Sequence, residues 1–143
     1  MTNLNVHKTE DTPEVVLNAE TKDFRIQGDS MPEDSMAFYT PIIDWLTEYT
    51  SQPFGKMSMV FRMTYFNTAS AKQLARILAA LNNSPTPENI TVIWRYDNDD
   101  NEMLHAGERY SQQLKMKFEF EECEPLPEED LEEEGLYHVV PKE

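Results

Sequence analysis

The chain has 143 residues with 39% apolar content, enough for one ordinary globular core and not for two. It carries 27 Asp and Glu against 12 Lys and Arg, a formal net charge of -15, which repels nucleic acid and anionic membrane surfaces. Its single cysteine permits no internal disulfide, no apolar run approaches the ~20 residues that span a bilayer, and "MTNLNVHKTED" lacks the layout of a signal peptide, so a cytoplasmic protein is expected.

In chain order, residues 1–11 read as a flexible N-terminus, and "EVVLNA" and "DFRIQG" as short strands joined into a hairpin by the polar "ETK". Asp34 or Ser35 then caps a helix whose Phe38, Ile42, Trp45, Leu46 and Tyr49 form one apolar stripe, with Pro41 tolerated near the helix start. "KMSMVFRMTYF" sets Met57, Met59, Phe61, Met63 and Tyr65 on one face and Val60 and Phe66 on the other, which predicts a well-buried strand. A helix follows from about Ala69 to Leu81, then "NNSPTPEN" as a turn and "ITVIWRY" as a second strong strand. A third helix over about Asn101 to Leu114 aligns Met103, Gly107, Tyr110 and Leu114, and "MKFEFEE" is the last strand.

Strand–helix–strand units make right-handed parallel crossovers. This order therefore predicts a single α/β domain over residues 12–122, with a mainly parallel central sheet of about five strands, an N-terminal hairpin and three main helices. Residues 119–143 hold 11 acidic residues and one Lys. Within them "EPLPEEDLEEEG" buries too little apolar surface to offset the entropy of ordering it, so residues 123–143 read as a flexible acidic extension. The closing "LYHVV", Leu136 to Val140, either docks as a strand on a sheet edge or a neighbouring chain, or stays loose.

The chemical inventory for catalysis is thin. His7, His105 and His138 lie far apart in sequence, and the chain has no P-loop, no GxGxxG and no GxSxG. Cys123 sits among Glu121, Glu122 and Glu124, a setting that disfavours a thiolate nucleophile. No enzymatic activity, cofactor or resident metal is expected. Asp97, Asp99, Asn101 and Glu108 do fall at the first, third, fifth and twelfth places of a calcium-binding loop, but Glu102 stands where such a loop needs Gly and a strand precedes it. The alternative is that Asp99 and Asp100 cap the third helix.

The joint "YFNTAS" carries the functional signal. Asn67 and Thr68 are both good N-cap residues, so Thr68 reads either as a helix cap and nothing more, or as a hydroxyl whose phosphorylation a helix N-terminus accommodates. On the second reading Thr68 is the phosphoacceptor, Asn67 and Ser70 support its loop, and Tyr65, Lys72, Asp99 and Asp100 are candidate partner-surface residues.

"TPEVVLN", "IQGDSMPEDSMAFYTPIIDWLTEY", "TYFNTASAKQL" and "WRYDNDDNEMLHAGERY" together resemble the SiaC family of bacterial regulatory phosphoproteins, from about Thr12 to Glu122. The resemblance implies a fold like that of anti-sigma-factor-antagonist modules and a partner switch. A serine/threonine kinase of the anti-sigma-factor type would phosphorylate the threonine of the YFNT phrase, here Thr68, and a PP2C-like phosphatase would restore it. The unphosphorylated form would bind and activate a diguanylate cyclase, linking the switch to cyclic-di-GMP and biofilm behaviour. The chain departs from the family pattern at "PED", where Pro-Glu-Asn is more usual, at Ala69 and Ala71, where hydroxyl residues are usual, and in its acidic extension. The competing classes are a constitutive protein-binding adaptor and a calcium-responsive protein.

Overall fold

The computed structural model describes residues 2–125. Strands β1 (Leu4–Val6), β2 (Glu14–Asn18) and β3 (Asp23–Ser30) form an antiparallel meander. Helix α1 (Ser35–Thr50) leads to β4 (Met57–Phe66), α2 (Thr68–Asn82) to β5 (Ile90–Asp97), and α3 (Asn101–Ser111) to β6 (Lys117–Cys123), and the pairs β3–β4, β4–β5 and β5–β6 are all parallel. Among the described residues the sheet thus has six strands, in the same order in space as in the chain. The sixth is β1, which lies within the N-terminal residues expected to be flexible. There Leu4 and Val6 pair with Leu17 and Val15, and Thr2 accepts a 2.7 Å hydrogen bond from the Trp45 indole N–H.

Each crossover advances one strand in the same direction, so three connections of one hand set all three helices on one face of the sheet. Burial follows: Val15, Leu17, Phe24, Ile26, Met57, Met59, Phe61, Ile90, Val92 and Trp94 point into the helices and are almost fully buried. The alternate residues of β4 and β5 are half-buried or exposed. Here β4 departs from the well-buried strand expected of it, because only one of its faces is covered. On the open face a guanidinium on each of β3, β4 and β5 reaches a carboxylate on a neighbouring strand: Arg25 to Glu14 at 3.4 Å, Arg62 to Asp97 at 3.0 Å and Arg95 to Glu121 at 2.8 Å. These pairs let polar side chains line a face that no second layer of the described residues covers.

The register between β3 and β4 slips once: Gly28 faces Met63, but Asp29 faces Tyr65 and Ser30 faces Phe66. Thr64 is the extra residue of a β-bulge, and a bulge re-aims everything after it. Tyr65, expected beside Met57 to Met63, therefore leaves the covered face and is 50% exposed, while Phe66 turns toward the helices. Gly28 serves the same bend from the other strand, at φ +128, a backbone conformation that side chains rarely adopt.

The helices form where expected, with shifted ends. Asp34 caps α1 by accepting from the Ala37 N–H at 3.1 Å. Pro41 lies in the second turn rather than near the start; the carbonyl it leaves unpaired is that of Ala37, an exposed residue within reach of water. The third helix stops at Ser111, short of Leu114. Gly107 lets α3 lie directly on Trp94, whose indole N–H donates to the Met103 carbonyl at 2.9 Å. The expectations for the acidic segment after Pro125 and for "LYHVV" fall outside the described residues.

Candidate functional site at the head of the second helix

The C-terminal ends of β3, β4 and β5 feed directly into the N-termini of α1, α2 and α3, so three positive helix ends share one edge of the sheet. At the middle one the cap is Asn67. Its Oδ1 accepts from the Ser70 N–H at 2.9 Å, and its carbonyl accepts from the Ala71 N–H at 2.9 Å. Thr68 is the first helical residue and is exposed. This corrects the reading of Thr68 as a cap: the bulge and the end of β4 place Asn67 at the joint, and Thr68 is left without that duty.

Beneath Thr68 lies a buried polar floor. Ser70, fully buried, approaches Ser30 Oγ at 2.8 Å and donates to the Ser30 carbonyl at 3.0 Å. Ser30 Oγ lies 2.6 Å from the Tyr39 hydroxyl, and the Asn67 N–H donates to the Ser30 carbonyl at 3.1 Å. Burial pushes the Tyr39 phenol up to about 12, a shift that its bond to Ser30 offsets only in part. Tyr110 of α3, also pushed up to about 12 by burial, donates to the Ala71 carbonyl at 2.8 Å and ties the third helix to the same turn.

The remaining candidates fall on the same edge. Tyr65 and Lys72 are exposed, one before and one after Thr68, and Asp99 is exposed in the turn before α3. Asp100 caps α3 by accepting from the Met103 N–H at 3.0 Å, so its carboxylate is already engaged. Asp97, a would-be calcium ligand, is ion-paired to Arg62 instead, and the described residues hold no group of three or more His, Cys, Asp or Glu placed to bind a metal. Cys123 is a half-buried free thiol at the end of β6. A cleft of about 460 Å³ opens on the uncovered face, lined by His7, Lys8, Gln27, Asp29, Arg62 and Asp97 among others; Thr68 is not among its lining residues. Two large apolar residues, Met31 after β3 and Met36 in the first turn of α1, are 37% and 58% exposed at the edge that bears Thr68.

Sequence reasoning missed Ser30 and Tyr39. The signal was present for Ser30, which continues the inward phase of Phe24 and Ile26 along β3, as a polar residue at an apolar position. Tyr39 was hidden because Phe38 competes with it for the stripe; the structure buries Tyr39 and leaves Phe38 half-buried.

The model of the SiaC family regulatory phosphoprotein matches residues 6–123. This chain belongs to the SiaC family. An uncharacterized protein of Pseudomonas aeruginosa (strain UCBPP-PA14) is 24% identical over 119 residues, spanning 82% of this chain and 94% of that protein. Apo-SiaC from Pseudomonas aeruginosa superposes with a TM-score of 0.77 at 24% identity, over 85% of this chain and 99% of that one. SiaC from the same organism, solved in complex with the diguanylate cyclase SiaD of which it is the activator, gives 0.78 at 23% identity, over 84% of this chain and 99% of that one. At this identity the superpositions show a shared SiaC fold, and the family match closes on Cys123, the last residue of β6.

Proposed function

We propose that this protein is a non-enzymatic, cytoplasmic regulatory phosphoprotein whose Thr68 is phosphorylated and dephosphorylated to select its partner. The observation that carries the reading is an exposed threonine hydroxyl at the first residue of α2, relieved of capping by Asn67, in a chain of the SiaC family. A kinase of the anti-sigma-factor type adds the phosphate and a PP2C-like phosphatase removes it. The effector is a diguanylate cyclase, by analogy with the SiaC–SiaD complex, and the pathway is cyclic-di-GMP and biofilm signalling. Supporting the assignment of a protein partner, Tyr65, Met31 and Met36 expose apolar surface on the edge that presents Thr68, with Lys72 and Asp99 as flanking charges.

A phosphate of charge about -1.5 to -2 suits the helix end itself, where free N–H groups and the dipole favour an anion. A partner packed over Thr68 would have to desolvate that charge or give up its close fit. A loss of ~3 kcal/mol corresponds to more than a hundredfold in affinity, enough for a switch. The test is the affinity of a purified diguanylate cyclase effector for the unmodified, Thr68-phosphorylated and Thr68→Ala forms. Tight binding by the first and third and weak binding by the second is expected; equal affinity across all three, with folding intact, sinks the reading.

A further inference from the structure

We infer that Ser30, Tyr39 and Ser70 are positioning residues for Thr68: a directed chain of buried hydroxyls fixes the backbone on both sides of the acceptor. The inference rests on the reading of Thr68 as the phosphoacceptor.

The direction of the chain follows from counting protons, one per hydroxyl. Ser70 Oγ is 3.0 Å from the Ser30 carbonyl oxygen, which has no proton to give, so the Ser70 proton is used there. The 2.8 Å bond between Ser70 Oγ and Ser30 Oγ must then take its proton from Ser30. The 2.6 Å bond between Ser30 Oγ and Tyr39 must in turn take its proton from Tyr39. The order is Tyr39 to Ser30 Oγ, to Ser70 Oγ, to the Ser30 carbonyl.

That carbonyl also accepts from the Asn67 N–H at 3.1 Å. Asn67 and Ser70, which bracket Thr68, are therefore held on one oxygen atom, and the Asn67 side chain closes the bracket by accepting from the Ser70 N–H. Ser30, Tyr39 and Ser70 are fully buried, so water cannot replace a missing partner cheaply. The floor joins α1, β3 and α2 while leaving the Thr68 side chain in solvent. Phosphoryl transfer depends on how well the attacking hydroxyl is placed. A looser bracket lowers the fraction of correctly placed acceptors and leaves the outer docking surface unchanged, so its loss falls on turnover and not on half-saturation.

The test uses the full chain. In the wild-type protein, NMR is expected to show slowly exchanging hydroxyl protons of Ser30, Ser70 and Tyr39, with the Tyr39 proton close to the Ser30 β-protons. Tyr39→Phe and Ser70→Ala are expected to speed amide exchange at Asn67, Ser70 and Ala71 roughly tenfold, the weight of about one buried hydrogen bond, with Leu78 and Val92 unchanged. Host cell lysate with labelled ATP serves as the kinase source, and incorporation at Thr68 is mapped by mass spectrometry. Both variants are expected to lower the maximal rate about tenfold at unaltered half-saturation. Wild-type rates and wild-type exchange in both variants overturn the inference. If the wild type takes no phosphate while exchange still rises only at the bracket, the phosphoacceptor reading fails and the bracket stands. If a variant exchanges faster everywhere, the wild-type hydroxyl spectrum decides, and absence of the slow protons overturns the bracket.

Discussion

Two adjacent side chains divide the work at the head of α2, and substitution separates them. Asn67→Ala removes the cap and is expected to cost about 1 kcal/mol in urea unfolding, whereas Thr68→Ala is expected to cost no more than about 0.5 kcal/mol. The reverse order would return the cap to Thr68. Thr68→Asp sets a charge beside the helix end and is expected to raise stability by up to ~0.5 kcal/mol while weakening the effector complex only in part, since one charge replaces about two. The letters "NT" announce a helix start but do not say which residue caps it. That is settled by where β4 stops, which depends on a bulge opposite Gly28 that no local pattern encodes. Ser70, supposed from the sequence to support the loop, lies in the floor; its partner Ser30 is 40 positions away, and Tyr39, which bonds Ser30 in turn, joins the chain only through the fold.

Among the elements, α3 sits directly on the sheet at Gly107. A Cβ at Gly107 would fall inside the Trp94 indole, a rigid and fully buried ring that cannot swing aside. Gly107→Ala is therefore expected to destabilise by roughly 2 kcal/mol through overpacking, against the small gain a solvent-facing helix glycine would give. A raised urea midpoint would show that α3 can slide instead. The strands and helices themselves were legible because apolar spacing marks them: period two in β3 to β5 and helical spacing in α1 to α3. β1 was not legible, since its three residues carry no periodic signal and gain a sheet position only once β2 offers an edge. The faces of β4 were misjudged beyond Met63 for the same kind of reason, a single inserted residue that acts through its neighbour strand. At the far edge of the sheet formed by the described residues, Lys117, Glu119, Glu121 and Glu122 put charge along β6, which disfavours pairing with another chain.

For the molecule as a whole, the buried phenols make stability depend on alkali. Tyr39 holds its proton up to about 12 in the fold and loses it near 10 when unfolded, so the folded state binds more protons in that window and stability falls as pH rises through it. Tyr39 alone accounts for about 3 kcal/mol across the interval, and burial shifts Tyr110 the same way. Urea unfolding from pH 9 to 12 is expected to show this decline, with Tyr39→Phe flattening it; an unchanged slope in the variant would assign the effect elsewhere. The identity of strand order in space and in sequence has a consequence for biosynthesis. Every part of the floor beneath Thr68, from Ser30 through Tyr39 to Ser70 and the Ala71 carbonyl, belongs to the first half of the chain. As the chain emerges from the ribosome, each new strand can join a neighbour already laid down, with no early strand waiting for a late one to be inserted beside it. Thr68 and its bracket are therefore translated before β5, β6 and the acidic extension exist, and the nascent chain carries the proposed phosphoacceptor ahead of its own completion.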